Sequence, residues 1–530
     1  MRLRSRILGI VAPAVTAATL FTAHAARALP ALYVGSGDGK FTSNTTQIVV
    51  MREKRRTVLT ILPDYQGPKE AMFAMLIPVP PEVTRDSIKM VQRSVFERID
   101  LLTAPRLVEY WEMDPCGPGT EAAAALDASS GGSSTKGFGG TIGGGGKIEP
   151  HFVPGEYDVF ILPLKDPSAL DAWLRNNKLA LPLGAGAYLK PYADAGMKVV
   201  AVKIDAKRLV FNAAGIATPA PFRIVYDSDR FSIPLHLGIG SSPGVQEVII
   251  DVLARHQRYE AANYPNTFAP TNIEVVEGTK TQPQVMYTAV FDATIAHTPR
   301  AFVTEYAWDA TSCDPCPTIA LTPDELLTFG GDMLPAAPGE TTSPTYGRGF
   351  VLTRMHARYR KDELTEDLVL RAAEPFAGGR EERDAKGALD QGARPAATSA
   401  FQARYAVRHA WSGAATCDKP RRGVWGAAPQ GHMPPARAAV GLAYTQRGGL
   451  KLATFLREDV PAIDFVFGPP DAGAPVDAGT APPVSDAGTT SEPKRTGCGG
   501  CTVGAAENTA VSAIAIPIVA LAVRRRRRRR

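Results

Sequence analysis

The sequence predicts an α+β fold, mainly antiparallel β, with two β-rich subdomains and a few short helices. Three observations point there. Short runs of β-branched, aromatic and aliphatic residues recur between residues 47 and 408, bounded by Gly, Pro, Asn or Asp. Capped helical periodicity is confined to a few short stretches. Four cysteines are spread between residues 116 and 417, as in a secreted framework of loops and strands.

The elements follow in order. Residues 47–63 read as two strands around a charged turn at Arg52 to Arg56, and 71–79 as a further apolar strand ended by Pro80 and Pro81. A helix capped by Asp86 carries Ile88, Val91, Val95, Ile99 and Leu102 at steps of three and four, and Pro105 stops it. Residues 106–112 return as a strand leading to Cys116. The Gly/Ser/Ala tract at 117–147 cannot bury a core and reads as a disordered loop. Strand pattern resumes at 156–163, and Asp166-Pro167 opens a short helix burying Leu170, Trp173 and Leu174. From Met197 strands are expected at 197–204, 222–226, 231–237, 246–253, 272–276, 284–291, 299–307, 349–357, 367–371 and 401–408. Thr322 and Glu325 form a capping box for one more helix. Residues 375–400 are polar and read as disordered. FAMLIPVP (73–80) and FSIPLHLG (231–238) look alike and hint at two related halves, with a boundary between subdomains 29–195 and 196–467.

Charge narrows the partners. The formal charge of the 530-residue chain is +6, from 59 basic and 53 acidic residues. Eleven of the basic residues lie in the first 28 residues or in the run Arg524 to Arg530. Setting aside residues 1–28 and the tail 497–530, which also holds Glu507, leaves 48 basic against 52 acidic residues, about −4. A body of that charge is not a polyanion binder, so nucleic acid is excluded as a partner.

The two ends read as addresses. Arg2, Arg4 and Arg6, an apolar stretch from Ile7 to Phe21 and small residues up to Ala28 form a secretory signal peptide at 1–28, with cleavage expected after Ala28. Asp-Ala-Gly recurs three times within 468–496 among Pro, Thr and Ser, marking a disordered stalk that could reach up to roughly 90 Å at ~3.1 Å per residue. Residues 497–530 then join Cys498 and Cys501, a short apolar helix from Ala510 to Val523 and the arginine run. The apolar run would span only ~21 Å, less than a ~30 Å hydrocarbon core, which suits a sorting signal better than a lasting anchor.

Export exposes thiols to an oxidising compartment, so Cys116, Cys313, Cys316 and Cys417 read as disulfides, with three connectivities open. Cys313-Asp314-Pro315-Cys316 could instead be a dithiol redox centre, but no βαβ pattern frames it. Other signatures fail on their own chemistry. No H-E-x-x-H or paired histidine spacing occurs, and no G-x-S-x-G seats a serine. Ser133 and Lys136 make an S-x-x-K inside the Gly/Ser tract, where nothing can desolvate the lysine. GGGGK at 143–147 lacks the first glycine of a phosphate loop and has Ile148 where Ser or Thr is needed. Trp111, Trp308, Trp411 and Trp425 could line a surface for glycans or peptides, though core or edge packing explains them more simply. No cofactor, metal or catalytic residue is assigned.

Two resemblances add to this reading. Gly497-Cys498-Gly499-Gly500-Cys501, the short apolar helix and the arginines are similar to the C-terminal sorting tails of myxobacterial surface proteins (MYXO-CTERM type), although two glycines separate the cysteines where one is commoner. That resemblance implies attachment to the membrane through the tail, processing by a membrane protease near Cys498 or Cys501, and a place on the outer surface. The body resembles domain of unknown function 2330, through FAMLIPVP at 73–80, LLTAPRLVEYW at 101–111, ANYPN at 262–266 and CDPCP at 313–317. This implies an exported protein without assigning an activity. The expectation is an envelope protein, non-enzymatic, with a binding or structural role and an ectodomain ligand the sequence does not name. The alternatives are a thiol–disulfide oxidoreductase using Cys313 and Cys316, and a hydrolase whose site is assembled from distant residues.

Overall fold

The computed structural model describes residues 30–36, 40–43, 46–117, 157–213, 215–241, 244–312, 319–335, 349–379, 392–426 and 450–457. The expected signal peptide, Gly/Ser tract beyond Gly117, Cys313–Cys316 motif, stalk and tail lie outside the described residues.

The strands run in chain order from β1 (Leu32–Gly35), β2 (Thr46–Glu53), β3 (Arg56–Leu62), β4 (Met72–Val79) and β5 (Ile88–Met90) to helix α1 (Ser94–Thr103) and β6 (Arg106–Glu112). There follow β7 (Tyr157–Pro163), α2 (Pro167–Asn176), α3 (Ala185–Asp194), β8 (Lys198–Asp205), β9 (Phe222–Asp227), β10 (Ser232–Ile233) and the single turn α4 (Leu235–Gly238). Next come β11 (Gln246–Arg255), β12 (Arg258–Ala261), β13 (Asn266–Phe268), β14 (Ile273–Glu274), α5 (Pro283–His297) and β15 (Phe302–Asp309). The last are α6 (Pro323–Phe329), β16 (Phe350–Tyr359), β17 (Leu368–Ala373), β18 (Phe376–Gly378), β19 (Arg394–Pro395), β20 (Ala400–Gln402), β21 (Arg404–His409) and β22 (Trp425–Gly426).

These make an α+β, β-rich body whose sheets are mostly antiparallel. An 11-stranded sheet, ordered β19-β18-β20-β15-β16-β11-β2-β3-β9-β5 with β13 beside β15, is its centre. β2 and β11 carry apolar residues on both faces, as strands covered on both sides must. One face of this sheet, with Ile48, Val50, Ile250, Val252 and Met355, packs on Phe73, Met75, Val200 and Val202 of a four-stranded sheet β1-β4-β8-β7. The far face of that smaller sheet is covered by α2 and α3 through Trp173, Leu174, Leu189 and Tyr192. The second face of the large sheet lies under α1 and α6, through Phe96, Ile99, Leu326 and Phe329. Helix α5 packs beside them, against Val303, Tyr405 and Val407. The last two residues belong to a further sheet, β14-β21-β6-β22.

The local chemistry behaves as the sequence dictates at several points. The β2–β3 turn holds Lys54 at a φ of 52°. Asp166 caps α2 by accepting from the Ser168 amide, with Pro167 in the first turn. Thr322 and Glu325 satisfy each other's amides at the start of α6.

Other expectations are corrected. The boundary expected at 195/196 does not divide the sheets between two subdomains. β4 pairs along its whole length with β8, and β2 lies parallel to β11, so residues from both sides share both large sheets. The helix expected from Asp86 starts only at Ser94. Ile88–Met90 is instead the strand that completes the sheet edge on β9. Residues 284–291, expected as a strand, form α5. Met286, Tyr287, Thr288, Ala289, Val290 and Phe291 are all buried there, and a segment apolar on every side gives no period to tell helix from strand. The run 231–237 yields only the two-residue β10. Pro234, which has no amide to donate, begins the helical turn α4, and the likeness to 73–80 ends there. Within 375–400, Phe376–Gly378, Arg394–Pro395 and the start of β20 are strand.

Candidate functional site

On the α1/α5 side of the large sheet the strand alternation collects charge in the core. Side chains two residues apart share a face, so Glu247 and Asp251 of β11 and Arg354 and His356 of β16 come together with Glu305 of β15. Arg354, fully buried, is the hub. Its Nη1 donates to Asp100 Oδ1 of α1 at 2.8 Å and to Thr103 Oγ1 at 3.1 Å, and its Nε donates to Glu305 Oε2 at 2.7 Å. The other oxygen of Glu305 meets His356 Nδ1 at 2.8 Å, and His356 Nε2 meets Glu247 Oε1 at 2.7 Å. The Phe291 ring of α5 stacks on the imidazole at 4.0 Å. Gln47 of β2 reaches Asp251 Oδ2 at 3.4 Å, and Arg358 binds Asp292 of α5 at 3.0 Å.

The electrostatics follow from burial and pairing. Burial alone would lower the His356 pKa, but Glu305 and Glu247 overcome it and raise it, so the imidazolium is held. Burial likewise pushes Glu305 up, and His356 and Arg354 pull it below the ordinary carboxylate value. The Arg354 pKa is raised: burial opposes its charge and the carboxylates Asp100, Glu305 and Asp251 prevail. Asp251 differs. Burial pushes it up to about 7, with Arg354 opposing and Asp100 adding to the rise. Among the described residues its Oδ1 has no hydrogen-bond partner, and Arg354 with hydrogen bonds from Gln47 and Thr103 only partly offsets the burial.

A pH dependence follows. A raised folded pKa means the native state holds a proton the unfolded chain has released. The Asp251 contribution is therefore complete below pH ~4 and lost as pH rises to about 7, and His356 adds a loss of the same sign above its ordinary value of ~6.5. Glu305, lowered, contributes above the carboxylate range and loses that on acidification. Asp251→Asn is expected to stabilise the protein by on the order of 2–4 kcal/mol at pH 8 and to change little at pH 4. Urea unfolding at the two pH values checks this; equal midpoint shifts at both would show that Asp251 holds no extra proton.

The cluster is closed. A cavity of about 10 Å³ beside Glu305, lined also by Tyr287, Phe291 and Tyr405, holds no more than one water. Among the described residues no group of three His, Cys, Asp or Glu side chains is placed to hold a metal. The arrangement ties α1 and α5 to three strands. It offers a substrate no approach among the described residues.

Of the residues singled out in the sequence, Cys116 and Cys417 are joined in a disulfide with Cα atoms 5.6 Å apart. The parallel pair β6–β21 brings them together, since it sets Trp111 opposite His409 just before the two cysteines. Cys313, Cys316, Cys498 and Cys501 lie outside the described residues. Trp308 is buried in the large sheet. Trp111, Trp411 and Trp425 gather near the disulfide, where Trp111 stacks on His409 and Arg408 covers Trp425. The ANYPN segment is bracing. Asn263 binds the backbone of Asp367 and Val369, Tyr264 that of Glu366, and Asn266 that of Ala261. FAMLIPVP forms the buried β4, and Arg106 of the LLTAPRLVEYW segment donates back to Leu102.

The family described as "Uncharacterized protein conserved in bacteria (DUF2330)" matches residues 24–371, a span that holds every member of the buried ion network. The chain belongs to this family. No curated protein matches this DUF2330 chain. The crystal structure of baculovirus P35 shows 10% identity, with 41% of the DUF2330 chain covered, 66% of P35 covered and a TM-score of 0.23.

The DUF2330 ion network went unread in the sequence. Its signal was there: QEVIID, VTEYAW and LTRMHARY each place a charged residue inside an apolar strand, and such charges are rarely buried unless paired.

Proposed function

We propose that this DUF2330 protein is exported to the cell envelope and serves there as a binding or architectural module, not as an enzyme. The Cys116–Cys417 bridge carries the reading, because a disulfide closing 301 residues of chain persists in an oxidising compartment and not in a reducing cytosol. The buried network supports the second half. Its acid–base groups are engaged with one another in a closed interior, which stabilises an architecture. The signal peptide at 1–28 would direct export. The tail from Gly497, with Cys498 or Cys501 as its processing or lipidation point, would fix the protein to the membrane at the outer surface. Fractionation of producing cells with intact-mass analysis tests this. The expected product begins near Leu29, lacks Arg524 to Arg530 and carries no free thiol at Cys116 or Cys417. A cytosolic product with both thiols free would overturn it.

The second reading is a thiol–disulfide oxidoreductase, favoured by one observation. With Cys116 joined to Cys417, Cys313 and Cys316 are the remaining cysteines of the body, spaced as a C-x-x-C pair. Disulfide reduction in an insulin assay that is lost in Cys313→Ser would establish it.

A further inference from the structure

Among the described residues, Leu183 and Val210 are the most exposed large apolar side chains, at 106% and 89% of full exposure. Neither sits on a loose end. Leu183 tips a turn in which the Ala185 amide donates to the Pro182 carbonyl and Gly184 adopts a φ of 79°, between the buried anchors Leu179 and Ala185. Val210 follows a turn closed by the Leu209 amide on the Ala206 carbonyl, and Phe211 beside it bridges to Ala217 under the Lys69 ammonium.

The two tips leave the same end of the four-stranded sheet. Gly35 pairs with Phe73 at the end of β1 and bridges to Ala180, three residues before Leu183. Met72 pairs with Asp205 at the end of β8, five residues before Val210. The segments leaving this end also carry exposed Lys40, Lys69, Lys178, Lys207 and Arg208, against an exposed Glu70. Two further acids lie at this end and count against this charge, Asp158 at 3.6 Å from Lys203 and Asp205, which accepts the Lys207 amide; with Lys203 counted, six cations stand against three acids among these described residues. A body of about −4 thus concentrates positive charge around two apolar tips.

We propose that this end of the sheet docks on an anionic lipid bilayer, with Leu183 and Val210 entering the acyl boundary and the lysines and Arg208 facing the headgroups. Charge complementarity selects an anionic partner, and the apolar tips select a bilayer over a soluble polyanion, which would use the lysines and leave Leu183 and Val210 in water. The inference is separate from attachment through the tail, and a local readout keeps the two apart.

Hydrogen exchange of the full-length protein, read by mass spectrometry, tests it. On vesicles containing phosphatidylglycerol, peptides covering 178–184 and 206–212 are expected to exchange about tenfold more slowly or better. Neither phosphatidylcholine vesicles nor dextran sulfate should have this effect. The double variant Leu183→Asp/Val210→Asp, at positions whose exposure leaves stability nearly unchanged, should lose about tenfold or more of that protection while tail peptides respond as before. Raising the salt should weaken it. The proposal fails if anionic vesicles give no protection at these peptides, if dextran sulfate protects them equally, or if the double variant keeps the protection. Loss of the tail response alone would strike the sorting reading and leave this one standing.

Discussion

Arg354→Met is expected to lower the stability of the body by about 3–5 kcal/mol. Methionine nearly fills the space, so the loss comes from charge. Asp100 and Glu305 stay buried, at 0% and 3% side-chain exposure, and lose the cation that answers both. Desolvating a carboxylate costs several kcal/mol, and only a close, hydrogen-bonded partner offsets that cost. His356 remains on one side of Glu305, while the described contact of Asp100 with this hub disappears. The penalty should shrink when the stranded carboxylates are neutralised together. Asp100→Asn/Arg354→Met/Glu305→Gln should recover much of the loss, because removing a whole buried ion group costs far less than removing one member. Urea unfolding measures both. A loss below about 1 kcal/mol in Arg354→Met would mean that water reaches the network, which a closed core does not allow.

How far the sequence led depends on whether a feature is local. β2 and β3, β4, β11 and β16 were legible because each run is bounded by its own turn residues and is long enough to show its character. The caps at Asp166 and Thr322 were legible because the capping hydrogen bonds close within two or three residues. Helix α5 was not, since its burial on every side erases the 3.6-residue period and leaves Tyr, Val and Phe to suggest a strand. The ion network was hidden for a different reason. Asp100, Glu247, Glu305 and Arg354 lie far apart in sequence and meet only once β15, β16 and β11 stand side by side with α1 laid across them. The subdomain boundary failed for the same cause: the parallel pairing of β2 with β11 is a non-local choice that neither strand records in its own residues.

The other large effect concerns the disulfide, where sequence reasoning left three pairings open. Cys116→Ser/Cys417→Ser is expected to destabilise the protein by up to about 6 kcal/mol, as the chain-entropy model gives for a closed segment of this length. The bridge links residues 301 apart and lies just beyond β6 and β21, two parallel strands that no hairpin could bring together. Without it the unfolded chain regains the freedom to separate these segments, and the native state must close that distance on strand pairing alone. A denatured ensemble that stays partly compact would reduce the loss, so the figure is an upper value. A local signature should accompany the global one. The Arg421 amide donates to the Pro115 carbonyl and the Met113 amide to the Val424 carbonyl, so the disulfide pins residues 410–424 over the end of β6. In the double variant this segment should become the first site of limited proteolysis, at protease levels that leave α5 and the large sheet uncut. Reducing the wild-type protein should reproduce both effects. If reduction and substitution leave both the unfolding midpoint and the cleavage pattern unchanged, the bridge does not help to hold these strands together, and the argument for export loses its main support.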